Sequence, residues 1–277
     1  MQKITVMVNG MPGNMARLVA ETVQQRGWEL IPFSLTGEEV EASKVALSGC
    51  EIDLLKPSIR EKKMVSIKEK WSKLIAVDYT HPSAVIGNLE LYLRHQIPFV
   101  MGTTGGDRYQ MDELLKSTPV NAVIAPNMAK QIVGFQAMME WASNEFPDLF
   151  RGWNLRVEES HQSTKADTSG TAKAVVASFQ KMGLKFDVEQ IKKIRQPDEQ
   201  IRFGVPQKEL SGHAFHTYSV DSPDRAVHFE FQHNVSGRQI YADGTADAVA
   251  FLSDKNEAGN QPRLYNMFDV LRSGSMR

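Results

Sequence analysis

Cysteine and long apolar runs are what this sequence most clearly lacks. Its 277 residues include a single cysteine, Cys50, which excludes an internal disulfide and a cysteine-rich metal site and is typical of a reducing compartment. No apolar run approaches the roughly 20 residues that cross a bilayer, and no signal or transit segment precedes the first predicted strand. We therefore expect no membrane association. The expected location is cytoplasmic, or the plastid stroma if this is a plant protein whose transit peptide is not in this sequence.

An excess of charge is also missing. The formal net charge is −1 with 23% charged residues, so nothing favours nucleic acid as a partner. The basic stretch at residues 60–73 is interrupted by Glu61 and Glu69, which is typical of a solvated helix face. With 42% hydrophobic residues, the chain has enough apolar material for one large domain or two smaller ones.

The first half alternates short apolar runs with helical patterns. Strands are predicted at Ile4–Val8, Glu29–Phe33, Leu74–Asp78, Phe99–Met101 and Asn121–Ala125. Helical patterns lie between them, as at Met15–Gln25 and Ser83–Gln96. This alternation predicts a parallel sheet with helices on both faces, in which ligands bind at the carboxyl ends of the strands.

Longer alternating runs distinguish the second half. After a predicted helix at Ala129–Phe146, strands are predicted at Asn154–Ser160, His213–Val220 and Ala226–Val235. They favour an antiparallel or mixed sheet in a second domain. The end of the chain is predicted to be helical at Asp243–Leu252 and Tyr265–Leu271 and to pack on the first domain.

A glycine motif follows the first predicted strand and opens a helix. It runs from Gly10 through Gly13 to Ala16, with Pro12 where a dinucleotide fingerprint usually has its second glycine. The helix start would offer free N–H groups to a pyrophosphate, and the predicted contacts are Gly10, Gly13, Asn14 and Met15. A plain tight turn is the alternative. The predicted fold class is α/β, a Rossmann-like parallel-sheet domain plus a smaller α+β domain with a mixed or antiparallel sheet.

The end of the second predicted strand bears on the choice of nicotinamide cofactor. An NAD site usually places an acid there to hold the ribose, but this chain has none before Glu38. Ser34 and Thr36 can instead bond a 2′-phosphate, and Arg17 could reach it with a bidentate fork. These residues favour NADPH and leave NADH possible. The alternative is that Arg17 is only an exposed helix residue.

Proton-handling and anion-binding groups are concentrated at residues 159–173, ESHQSTKADTSGTAK. Thr168 or Ser169 is a natural N-cap for the following helix, whose start would hold a carboxylate. Capping alone would explain the hydroxyl residues but not His161 and Lys165 just upstream. Histidine exchanges protons near neutral pH and lysine supplies a fixed cation. The pattern predicts a site for a small dianion that receives a proton.

The same stretch, from Glu159 to Ala172, resembles the signature of the 4-hydroxy-tetrahydrodipicolinate (dihydrodipicolinate) reductase family of the diaminopimelate route to lysine. The resemblance continues through VNG, DYT, GTTG, APN and FQHN, at residues 8–10, 78–80, 102–105, 125–127 and 231–234. It is nearest to the plant-type branch, which carries GTTGGDR, LSGHAFH and FEFQHNV. It implies an NADPH- or NADH-dependent reductase that delivers hydride to C4 of a cyclic imine and needs no metal.

The resemblance also implies residue roles. His161 would protonate the substrate and Lys165 would bind a carboxylate and stabilise charge. Gln162 stands where the bacterial branch has a second histidine, so it would contact substrate without titrating. A substrate carboxylate would be held by Ser169, Gly170 and Thr171. Further cofactor contacts would be Asp78, Thr80, Gly102, Thr103, Thr104, Pro126, Asn127 and Met128.

The resemblance further implies two domains and self-association. Residues 1–128 with 240–277 would form the dinucleotide-binding domain, and residues 129–239 the substrate-binding and oligomerisation domain of a dimer or tetramer. The remaining histidines are not expected to form a metal-ligand set, because His213 and His216 should point to opposite faces of a strand. Two rival hypotheses stay open: another two-domain NADP-dependent reductase of amino-acid metabolism, and a non-catalytic NADP-binding protein.

Overall fold

The computed structural model describes residues 4–103, 105–116, 119–259 and 261–274. The chain divides into two compact units, one of Met1–Lys130 with Tyr241–Arg277 and one of Gln131–Ile240. Across the described ranges, no helix combines the length and the hydropathy that crossing a bilayer requires.

The described residues contain thirteen strands and nine α-helices. In chain order the strands are β1 Thr5–Asn9, β2 Glu29–Leu30, β3 Phe33–Leu35, β4 Lys44–Leu47, β5 Cys50–Leu55, β6 Ile75–Asp78, β7 Phe99–Met101, β8 Ala122–Ile124, β9 Asn154–His161, β10 Lys192–Ile194, β11 His213–Asp221, β12 His228–Ser236 and β13 Leu264–Tyr265. The helices are α1 Asn14–Gln25, α2 Pro57–Lys70, α3 Val85–Arg94, α4 Arg108–Leu115, α5 Lys130–Glu145, α6 Gly170–Lys181, α7 Pro197–Arg202, α8 Gln239–Glu257 and α9 Met267–Arg272.

The first unit is built on a six-stranded sheet in the order β13-β8-β7-β6-β1-β2, with every neighbouring pair parallel. Its central strands read as near-continuous apolar runs because both faces are covered. Met7, Ala76 and Phe99 are fully buried in one core with residues of α2 and α3. The predicted α/β class is therefore confirmed.

Two predicted elements of the first unit are wrong in detail. The strand expected at Glu29–Phe33 is two strands, because Pro32 between them has no N–H for a sheet ladder. β2 stays in the large sheet, whereas β3 enters a three-stranded sheet of order β3-β5-β4 that was not predicted. The helix expected from Tyr265 begins at Met267, since Tyr265 pairs with β8 and Asn266 caps the N–H groups of Phe268 and Asp269.

Helix α8 packs within the first unit by a close backbone approach. A Cβ at Gly244 would overlap the carbonyl oxygen of Met128, so no larger residue fits. One residue further on, Thr245 hydrogen-bonds the Tyr79 hydroxyl at 2.6 Å. Asp247, fully buried, pairs with Arg26 at 2.8 Å and also with Lys130. These contacts explain why the chain after the second unit returns to the first.

The second unit carries a four-stranded mixed sheet in the order β10-β9-β11-β12. β11 pairs antiparallel with both β9 and β12, and β10 runs parallel to β9. One sheet face, with Val157 and Tyr218, packs in an apolar core with Val175 and Phe179 of α6. The expected mixed sheet is confirmed.

The close approach at Gly244 predicts a large loss of stability in Gly244→Ala. The new methyl group must displace backbone, so we expect the free energy of unfolding to fall by about 2 kcal/mol or more. Gly134→Ala is the matched control, because it is also helical and has open space around its Cβ position. It should stabilise by about 0.5–1 kcal/mol. Thermal unfolding followed by circular dichroism checks both; equal midpoints for the two variants would contradict the prediction.

Candidate active site

The turn between β1 and α1 requires glycine at its first position. Gly10 has φ +105°, and a Cβ there would overlap the carbonyl oxygen of Tyr79. Gly13 donates its N–H to the Gly10 carbonyl at 2.9 Å, and the Met11–Pro12 peptide is cis. Gly13 is the N-cap of α1 and provides no side-chain cap. The helix start at Asn14 and Met15 is therefore suited to an anion.

The hydroxyl groups predicted to bind a 2′-phosphate hydrogen-bond the glycine turn. Ser34, fully buried, accepts from the Met11 N–H at 3.2 Å, and Thr36 donates to the Met11 carbonyl at 2.8 Å. Arg17 donates through Nε to the Pro12 carbonyl at 3.0 Å and through Nη1 to the Ala46 carbonyl at 3.4 Å. Arg17 thus lies beside the turn, and the hydrogen bonds of Ser34 and Thr36 stabilise the turn.

A cavity of about 900 Å³ lies against this turn, at the upper end of the range for small-molecule sites. Its lining includes Gly10, Gly13, Thr36, Glu38, Glu39, Arg60 and Thr80. Arg60, which the sequence placed on a solvated helix face, is held by Asn88 at 2.7 Å. A run of charged residues in the sequence does not show which of its side chains faces a cavity, so Arg60 was not predicted as a site residue.

Asp78 holds the loops at the carboxyl ends of the strands. Its Oδ1 accepts from the Thr80 N–H at 3.0 Å and from the hydroxyls of Thr80 and Thr103 at 2.7 Å each. Its Oδ2 accepts from Tyr92 at 2.7 Å and Asn88 at 2.9 Å. The side chain is fully buried, and its bonds hold together the loops that follow β6 and β7.

The remaining predicted cofactor residues lie beyond β7 and β8. A Cβ at Gly102 would overlap the Tyr79 ring, and a second cavity of about 240 Å³ is lined in part by Thr103 and Pro126. Asn127 accepts from the Ala129 N–H at 2.9 Å, and Met128 is buried. Thr104 lies outside the described residues.

A row of imidazoles, two buried and one half-buried, crosses the sheet of the second unit. His161 on β9 and His216 on β11 bring their Nε2 atoms to 3.3 Å. His216 stacks on His233 of β12 with ring centroids 4.5 Å apart, and His233 Nε2 lies 3.3 Å from the Tyr218 hydroxyl. His213 lies on the other face, bonded to Ser160 at 2.8 Å. The opposite facing of His213 and His216 is as expected, but their separate environments were not foreseen.

These imidazoles are kept neutral. Burial, reinforced by the charges of Arg195 and Lys165, lowers the pKa of His161 to about 3. Burial lowers the pKa of His233 to about 4 and that of His216 well below its usual value. A bound anion would oppose these effects and favour the protonated form.

A buried ion pair holds the loop that carries Lys165. Arg195 Nη2 pairs with Glu159 Oε1 at 2.5 Å, and its Nε donates to the Lys165 carbonyl at 2.8 Å. The other Glu159 oxygen accepts from the Ser169 N–H at 3.0 Å. Gln200 fixes the end of β9 by donating to the His161 carbonyl at 2.6 Å. Together these bonds set the loop against the strand end.

Lys165 and the start of α6 lie on the accessible side of this arrangement. Lys165 pairs with exposed Asp167 at 2.7 Å, and its N–H donates to the Gln162 carbonyl at 2.9 Å. Ser169 is the N-cap, accepting from the Ala172 N–H at 3.4 Å. Gly170 is exposed with open space above it, and Thr171 follows. A small carboxylate can therefore reach the helix start next to Lys165.

Glu159, His161 and His216 could in distance terms share a metal ion, because one ligand atom of each lies within 4.8 Å of the others. The donor set argues against it. Both Glu159 oxygens already accept hydrogen bonds, and the Arg195 guanidinium at 2.5 Å repels a cation. We interpret the cluster as a proton-handling site.

Comparisons with known proteins decide the family. Residues 4–128 match the family description "Dihydrodipicolinate reductase, N-terminus", and residues 132–271 match "Dihydrodipicolinate reductase, C-terminus". The chain belongs to the dihydrodipicolinate reductase family. The relative named 4-hydroxy-tetrahydrodipicolinate reductase 2, chloroplastic, from Arabidopsis thaliana is 50% identical over 275 residues, 99% of this chain and 79% of its own length.

Other dihydrodipicolinate reductases are more distant. The 4-hydroxy-tetrahydrodipicolinate reductase of Thermosynechococcus vestitus is 28% identical, covering 89% of this chain and 91% of its own. Among solved structures, a dipicolinate-bound dihydrodipicolinate reductase from Paenisporosarcina sp. TG-14 superposes with a TM-score of 0.65 at 19% identity, over 96% of this chain and 98% of its own. That likeness establishes the shared fold.

Five residues around His161 in this dihydrodipicolinate reductase family member were not predicted from the sequence to have a role in the site. They are Glu159, Arg195, Gln200, His216 and His233. Glu159 and His161 share a strand face because they are two apart. His216 joins them only because it pairs with Glu159 across β9 and β11. The two-residue spacing of Glu159 and His161 can be seen in the sequence, but the register of β11 on β9 cannot.

The lowered pKa of His161 predicts a loss of stability on mild acidification. Between about pH 6.5 and 3, the unfolded chain binds a proton at His161 that the folded chain does not, so the free energy of unfolding falls as the pH falls. We expect the thermal midpoint to drop from pH 7 to pH 5, and to drop less in His161→Gln. Exposed His228, paired with Asp221, supplies the control His228→Gln. An unchanged slope in His161→Gln would contradict the prediction.

Proposed function

We propose that this protein is a 4-hydroxy-tetrahydrodipicolinate reductase of lysine biosynthesis. It would reduce the dehydrated form of 4-hydroxy-tetrahydrodipicolinate to tetrahydrodipicolinate with hydride from NADPH, or alternatively NADH. The observation that carries the proposal is the junction of β9 and α6, where His161, Lys165 and the start of α6 come together in a chain that belongs to this family.

Two anion-binding groups suit a substrate with two carboxylates. The start of α6 offers N–H groups at Gly170 and Thr171, and the Lys165 ammonium lies on the preceding loop. Because Asp167 is exposed, the ion pair that occupies Lys165 is weak and a substrate carboxylate can replace it. Gln162, half-buried beside His161, supplies a hydrogen bond without a titrating group.

His161 is proposed to protonate the substrate as hydride arrives. Its pKa of about 3 keeps it neutral near pH 7 in the free protein. Two substrate carboxylates add negative charge close to the imidazole, which raises its pKa and favours proton uptake on binding. The acid would thus become charged only where substrate is present.

NADPH would supply the hydride when bound. The turn at Gly10–Gly13 and the start of α1 would hold its pyrophosphate, and Arg17 beside that turn would pair with the 2′-phosphate. Thr103 and Pro126 would line the nicotinamide side, with Gly102, Asn127 and Met128 shaping the loops. The preference for NADPH over NADH rests on Arg17.

The proposal extends to domains, assembly and location. Residues 1–128 with 240–277 would bind the cofactor, and residues 129–239 would bind substrate and mediate homo-oligomer contacts. β12, at the edge of its sheet with Phe229 exposed, suits pairing between copies. The chloroplastic names of the plant relatives support a plastid location.

Removal of the proposed acid or cation tests the function directly. In an assay following NADPH absorbance with the condensation product of pyruvate and aspartate semialdehyde, we expect His161→Ala and Lys165→Ala to lower kcat by about 10²–10⁴-fold. Exposed His228→Ala and Lys173→Ala should behave as the unchanged protein. A non-catalytic NADP-binding protein would show no substrate-dependent oxidation, and another reductase would act on a different substrate; full activity in His161→Ala would refute the assigned role.

Cofactor preference gives a separate test. Loss of the Arg17 guanidinium removes charge-assisted bonds to a 2′-phosphate, so Arg17→Ala should raise KM for NADPH by about 10-fold or more. KM for NADH, which has no 2′-phosphate, should stay within about twofold by the same argument. Arg94→Ala, which removes an exposed arginine paired with Glu61, is the control. Equal effects of Arg17→Ala on both cofactors would oppose the assignment.

A further inference from the structure

We propose that His216 is a positioning residue for His161, sharing a single proton with it so that His161 is held ready to act as an acid when the substrate binds. This inference rests on the proposed function and goes beyond it, because the proton donor then depends on a second histidine. The stretch at residues 159–173 does not contain His216, which lies 55 residues beyond His161 along the chain.

The contact between the two rings is direct. The Nε2 atoms lie 3.3 Å apart and the rings meet edge to face, with centroids 5.0 Å apart. A hydrogen bond between two Nε2 atoms contains one proton, so one imidazole must donate and the other, which must be neutral, must accept. The geometry therefore makes the protonation of His161 a property of the pair.

The second nitrogen of His216 leaves its tautomer free. A histidine tautomer is normally set by the hydrogen bond of the other ring nitrogen, but His216 Nδ1 is buried without a partner in the described part of the structure. His216 can therefore hold its own proton on Nδ1 and accept at Nε2 from the Nε2–H of His161, both when His161 is neutral and when His161 has gained a second proton at Nδ1. The pair gains one proton in total, and His216 stays neutral throughout.

The surroundings favour a neutral His216. Burial is the main cause that lowers its pKa, and neighbouring histidines and cations add to it. The titratable and charged groups that face it are Glu159 and His161 from β9, Tyr218 on its own strand, His233 from β12, Lys165 from the loop after β9 and Arg195 from the end of β10. Glu159 Oε2 is 4.0 Å from Nε2 and is engaged by the Ser169 N–H, so His216 remains the acceptor available to His161.

The imidazole that contacts His161 does not come from the next residue in the chain. Gln162, which follows His161 in the chain, has a side chain that does not titrate. The second imidazole instead comes from across the sheet, on β11. The partner of His161 is thus supplied by strand pairing rather than by the neighbouring residue in sequence.

The test measures the alkaline limb of kcat against pH, where His161 in the substrate complex loses its proton. In His216→Leu, protonated His161 loses its acceptor, so the limb should move about one unit or more to lower pH. Near pH 8 kcat should fall about 10-fold, while KM stays within about twofold. His216→Gln, which can donate or accept at the same place, should restore the limb towards that of the unchanged protein.

A control lies on the neighbouring strand. His228→Gln replaces an exposed histidine of β12 that pairs with Asp221, and it should leave the limb in place. Should the leucine variant fail to fold, His216→Met preserves more of the side-chain volume and carries the same expectation. A limb that does not move in the folded His216→Leu or His216→Met variant overturns the inference.

The outcomes separate this inference from the proposed function. If the unchanged protein does not oxidise NADPH with the substrate, the proposed function fails. If it does, and His161→Ala is inactive while His216→Leu keeps the normal limb, only the role of His216 fails. A limb that shifts equally in His228→Gln would show a general effect of histidine replacement in this sheet and would also overturn the inference.

Discussion

The buried carboxylate of Glu159 is the group on which the arrangement of the proposed substrate site depends. A fully buried charge is tolerated only when it is paired and hydrogen-bonded, and Glu159 meets this with Arg195 on one oxygen and the Ser169 N–H on the other. Arg195 in turn binds the Lys165 carbonyl. One ion pair therefore fixes the end of β9, the loop with Lys165 and the start of α6, and none of these can shift without unpairing a charge.

Asp78 is a buried acid of the first unit whose carboxylate is also satisfied by hydrogen bonds. Its two oxygens accept from the loops after β6 and β7 and from Asn88 and Tyr92 of α3. In both units a buried acid thus organises the loops at a strand end while more exposed groups remain for ligands.

The sequence predicted most where chemistry and periodicity are local. The parallel sheet, the mixed sheet and the N-cap at the TSGT stretch follow from runs of a few residues, and β7 has the predicted bounds. What escaped prediction depends on pairing between distant residues. Pro32 could have predicted the break between β2 and β3 from the sequence, but the sheet that β3 enters is formed with the more distant strand β5. Arg195 and His216 reach Glu159 only through the registers of β10 and β11 on β9.

Because its histidines are neutral, the proposed site contains few net charges before a ligand binds. Near neutral pH the free site carries the cations of Lys165 and Arg195, which are paired with the exposed Asp167 and the buried Glu159. Protonating His161 in that state would add a third cation and is opposed by its neighbours. A dianion removes this opposition, because it balances the added charge. In the proposed mechanism the pKa of His161 therefore rises when substrate occupies the site. His216, itself neutral, accepts a hydrogen bond from protonated His161 without adding a further charge.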